Sequence, residues 1–66
     1  MEKALLAEQL KADRDCNYRI WKDYHRKMLG ASGKQKKYFR DWVDFYDKRV
    51  RALDYAMEVL RQHDII

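Results

Sequence analysis

Proline is absent from this chain of 66 residues, glycine occurs twice and cysteine once. Each scarcity excludes something. Without proline, no helix need break for want of an amide donor. Gly30 and Gly33 stand close together, so the composition allows one interruption in a helical chain. A lone Cys16 rules out an internal disulfide and the usual cysteine-rich zinc site. His25 and His63 lie far apart, outside any ligand-spaced motif, so neither a metal nor a cofactor is expected. No apolar run is long enough to span a bilayer, and no membrane partner is expected. After Glu2 and Lys3 the opening residues reach another charge, Glu8, after only four apolar positions, unlike a signal peptide. An unpaired thiol without an export signal fits a reducing compartment, and a cytoplasmic location is expected.

What the chain does have is helical periodicity. In its second half, Phe39, Val43, Tyr46, Val50, Leu53, Met57 and Leu60 alternate steps of four and three. One residue behind runs a parallel seam of Tyr38, Trp42, Phe45, Arg49, Ala52, Ala56 and Val59, broken only by Arg49. One seam serves one partner helix, and two side by side call for two partners. The first half carries Leu6, Leu10, Ile20, Trp21, Tyr24 and Met28 at helical spacing. Acid-first pairs four apart support both halves: Asp15 with Arg19, Asp23 with Lys27, Asp44 with Lys48 and Asp47 with Arg51.

The predicted fold is all-α, an antiparallel hairpin of two long helices forming one domain over residues 1–66. Helix 1 is expected over about 2–29, a turn over 30–32 and helix 2 over about 33–63. Gly30 would end the first helix in the left-handed conformation. Ser32-Gly33-Lys34-Gln35 fits a capping box at the start of the second. Two helices of ~42 Å joined by so short a link must fold back on each other. A core this small is marginal alone, and with disulfide and metal excluded, pairing into a homodimeric four-helix bundle is expected. Its interface, or that with another protein, would be Trp42, Phe45, Arg49, Ala52, Ala56 and Val59.

A turn centred near Ala31 and Ser32 would set Tyr24 against Phe39, Ile20 or Trp21 against Val43, Leu10 against Leu53 and Leu6 against Met57. Midway it would bring Asp13 to Arg49 as an ion pair and Asn17 to Tyr46 as a hydrogen bond. This layer of Asp13, Asn17, Tyr46 and Arg49 reads as a register device rather than an active site, since arginine donates no proton near neutral pH.

Gly30 to Gln35 resembles a phosphate loop only superficially: it lacks the first glycine, the Ser or Thr after the lysine, and a preceding strand. Cys16 reads as a small semi-buried residue without a nucleophile's surroundings. No catalytic residue is assigned, no enzyme activity and no small-molecule substrate are expected. Charge is more telling. From Tyr18 to Arg40 there are eight basic residues and one acid, a local +7 against −3 for the remainder. Arg26, Lys27, Lys34, Lys36, Lys37 and Arg40 would gather at the turn end beside aromatic rings, a composition suited to polyanions. The sequence therefore points to a small non-enzymatic interaction protein, an adaptor or inhibitor, with a nucleic-acid-binding protein as the alternative.

Overall fold

The computed structural model describes residues 2–63, with side chains from residue 4 onward. Two helices account for nearly all of it. Helix α1 spans Glu2–Leu29 and α2 spans Gly33–Gln62, and no strand occurs among the described residues. They fold back as an antiparallel hairpin measuring 48 × 16 × 11 Å. Tyr24 meets Phe39 near the turn, Asn17 meets Arg49 midway, and Arg14 meets Asp54 farther out.

The turn departs from expectation in a way that moves everything beyond it. Gly30 does not take the left-handed conformation; its amide still donates to Arg26 O at 3.3 Å, prolonging the helical pattern. Ala31 N then donates to Met28 O at 3.2 Å, a tightened last turn. The left-handed glycine is Gly33, with φ of 60°. Ser32 is extended at the N-cap position, but its side chain makes no capping hydrogen bond, so the capping box does not form. A box needs the residue after the cap to be helical already, so that the amides two and three positions on face the serine oxygen. Left-handed Gly33 turns them away.

The helix bounds are close to those expected, yet the pairs that meet across them place the point of reversal later than Ala31 and Ser32. Opposing residues shift accordingly. Asn17 faces Arg49 rather than Tyr46, close to one turn farther along α2. Tyr24 reaches Trp42 and Tyr46 as well as Phe39.

The interior is thin. Only Val43 and Val50, at 8% and 9% exposure, are buried among the described residues. The rest of the first seam (Phe39, Tyr46, Leu53, Met57 and Leu60) is half-buried. Two helices in contact shield one stripe each and leave their other faces to solvent.

Candidate interaction surface

One flank of the hairpin is an aromatic cluster. Tyr24 of α1 joins Tyr38, Phe39, Trp42, Phe45 and Tyr46 of α2. Tyr24 stacks on Trp42 and on Tyr46, at 5.7 and 5.9 Å between ring centres. Phe45 stands edge-on to Trp42 and to Tyr46. Such rings gain from mutual contact beyond simple burial, yet Tyr38 remains 57% and Phe45 46% exposed. Down the same face of α2, Arg49 and Ala52 are exposed, while Trp42, Ala56 and Val59 are half-buried. The second seam is therefore only partly covered, wettest at Tyr38, Phe45, Arg49 and Ala52, while Tyr24 of α1 covers one face of Trp42.

The polar layer sits beside this strip with pairings other than those expected. Arg49 Nε donates to Asn17 Oδ1 at 3.0 Å, and Asn17 Nδ2 donates to Asp13 O at 2.7 Å. The Asp13–Arg49 ion pair does not form, nor does the Asn17–Tyr46 hydrogen bond. The later turn sets Asn17, not Asp13, opposite Arg49, and places Tyr46 among the rings beside Tyr24. The Asp13 carboxylate has neither an ion pair nor a hydrogen bond among the described residues, and it lines a groove with Asn17, Arg49, Ala52 and Leu53. Arg49 also lies 5.6 Å from the centre of the Phe45 ring, a cation–π contact.

At the turn end, Arg26, Lys34, Lys36, Lys37 and Arg40 are exposed and make no ion pair among the described residues. Lys27 differs, pairing with Asp23 at 3.5 Å and lying 5.5 Å from the Tyr24 ring. The first turn of α2 has no acid to offset its cations. A helix N-terminus favours negative charge, so this placement opposes the dipole.

Sequence reasoning missed the opposite flank. Arg14 Nε reaches Asp54 Oδ1 at 3.1 Å across the helices, and its guanidinium lies 4.9 Å from the Tyr18 ring. Chiefly through Asp54, the Arg14 pKa is raised above its ordinary value. Tyr18, Trp21 and His25 follow as a stack, 5.8 and 4.9 Å between successive centres. Trp21, expected with Ile20 as an alternative opposite Val43, stacks along its own helix between Tyr18 and His25, with Nε1 buried and unpartnered. The signal was legible, since Arg14, Tyr18, Trp21 and His25 are spaced four, three and four apart.

Cys16, expected to be semi-buried, is exposed. Of the acid-first pairs, Asp23–Lys27 and Asp47–Arg51 form. Asp15 meets Arg14 instead of Arg19, and Asp44–Lys48 does not close. Among the described residues, no group of three or more His, Cys, Asp or Glu side chains could hold a metal ion, and no helix is long and apolar enough to cross a membrane. No protein-family model, curated protein or solved structure matches this chain.

Proposed function

We propose that this chain is a small non-enzymatic interaction protein that self-associates through α2 and presents its ends to a macromolecular partner. The observation that carries the reading is the wet aromatic strip set against a core of two buried valines. Fully burying a side chain such as Phe45 contributes ~2–3 kcal/mol. That is comparable to the ~3–5 kcal/mol a core of this size supplies. Covering Tyr38, Trp42 and Phe45 would therefore rival the whole of the hairpin's own packing. Monomers rarely leave so long an apolar strip open, and aromatic rings of this kind anchor protein interfaces. Sedimentation from micromolar to millimolar concentration tests it. Wild-type chain should associate, and Phe45→Glu with Ala52→Glu should give monomers or unfolded chain. A folded wild-type monomer throughout would refute self-association.

A second reading, nucleic-acid binding, is favoured by one observation: exposed Lys34, Lys36, Lys37 and Arg40 against the N-terminal dipole of α2. Polyanion binding would offset that repulsion. Changing all four to glutamine should weaken binding and flatten its salt dependence by ~0.7–0.9 for each phosphate no longer neutralised. Absence of wild-type binding to DNA or RNA at low salt would remove this reading.

A further inference from the structure

The second seam is graded, with large rings toward the turn and small residues toward the open end. Trp42 and Phe45 lie on one side of Arg49, and Ala52, Ala56 and Val59 on the other. A surface that is bulky at one end and shallow at the other is self-complementary only when reversed. Resting on the self-association reading, we infer that the strip takes a second copy of this chain lying antiparallel, about a two-fold axis level with Val50 and Arg51.

That single axis pairs the strip from Trp42 to Val59. Trp42 lies over the partner's Val59, Phe45 over the partner's Ala56, and Arg49 beside the partner's Ala52. Each contact sets a large side chain on a small one, which is how two helix faces interdigitate at close range. A parallel mate would instead press each ring on its own copy and leave the alanines facing a gap. It would also set Arg49 against the partner's Arg49 in a region drying on contact, a costly juxtaposition.

The same register answers what happens to Arg49 when the strip is covered. Its Nε donates to Asn17 and its guanidinium lies over the Phe45 ring, but the outer nitrogens have no hydrogen-bond acceptor among the described residues. Asp13 lies one turn beyond Asn17 on α1, level with Leu53, and its carboxylate is likewise free among the described residues. Reversal about Val50 and Arg51 carries the partner's Asp13 level with Lys48 and Arg49. The charges that fail to meet within one chain meet between two, forming a symmetric pair of ion pairs at the centre of the interface. The cationic turn ends then point away from each other, ~50 Å apart at 1.5 Å per residue, so the dimer would bridge two anionic partners.

The test uses two variants of the full chain, Asp13→Arg and Arg49→Asp, checked for helicity by circular dichroism. Each alone places like charges at both ion-pair positions and should weaken dimerisation by at least about tenfold. Mixed together they should form a heterodimer within about threefold of wild-type affinity, since every pairing between the two chains is again of opposite sign. Mixing repairs nothing if the pairing is within one chain. A spin label on Lys36→Cys, in a Cys16→Ser background, should report ~44 Å between copies. Single variants that dimerise like wild type, a mixture that gains nothing, or a separation below about 20 Å (two helix spacings) would overturn the antiparallel arrangement while leaving self-association intact. Monomeric wild-type chain would overturn both.

Discussion

Replacing Gly33 by alanine, beside the same change at Gly30, isolates what the turn demands of the backbone. At Gly33 a new Cβ would meet nothing within 4 Å, so the substitution brings no clash and no packing. What remains is the left-handed φ of 60°, which costs an L-residue roughly 1–2 kcal/mol. Alanine returns ~0.4–1 kcal/mol by restricting the unfolded chain. The net expectation is destabilisation by ~0.5–1 kcal/mol, a fall in Tm of about 2–8 °C for a domain of this size. At Gly30 the new Cβ would lie 3.9 Å from Lys27 O and 4.0 Å from Arg26 O, ordinary contacts, and φ is not left-handed. There alanine keeps the unfolded-state benefit and should stabilise by ~0.4–1 kcal/mol. Urea and thermal melts followed by far-UV circular dichroism, at one protein concentration because association shifts Tm, would resolve opposite signs. Gly33→Asn should fall between wild type and Gly33→Ala, since asparagine tolerates the left-handed region. A stabilising Gly33→Ala, or a Gly30→Ala that destabilises, would refute this account of the turn.

Ser32→Ala should change stability by less than about 0.5 kcal/mol, because the hydroxyl caps nothing; a loss near 1 kcal/mol in a urea melt would restore the capping box. Trp21→Phe should be near neutral, since it trades indole area for removal of an unpartnered buried N–H; a loss above ~2 kcal/mol in the same melt would mean that Nε1 has a partner in solution.

The hairpin is legible in the sequence because its determinants are local and agree with one another. Proline is missing, the two glycines cluster with a serine, and each half holds one apolar period. Which glycine takes the left-handed torsion is not legible. Either position can end a helix, and the choice depends on how the two helices settle against each other rather than on the three residues between them. That ambiguity propagates. A turn that reverses later shifts the facing residues along α2, so Tyr24 keeps Phe39 but gains Trp42 and Tyr46, while Asn17 finds Arg49 instead of Tyr46. Large rings tolerate such a shift because they touch several neighbours at once. A hydrogen bond tolerates none, which is why the polar layer keeps its expected members Asn17 and Arg49 but not its expected pairings.

The two flanks follow the same logic. Helix α2 announces its strip as a second seam broken only by Arg49, and the geometry leaves that strip partly wet. Helix α1 carries a comparable stripe in Arg14, Tyr18, Trp21 and His25, hidden in the sequence because only two of the four are large and apolar enough to register as hydrophobic. Yet the flanks are finished differently. Arg14 is already held by Asp54 and Asp15 and lies over Tyr18, so its charge is answered within the chain. Arg49 donates only its Nε, to Asn17, and lies over the Phe45 ring, leaving its outer nitrogens without an acceptor beside a carboxylate it does not touch. A charged group that closes its contacts internally suits a face left in water. One that leaves donors open, within an apolar strip and beside an unused acceptor, suits a face completed by something else. The asymmetry, more than the exposure of any single ring, is why the flank of Trp42 and Phe45 rather than that of Tyr18 and Trp21 is assigned to self-association.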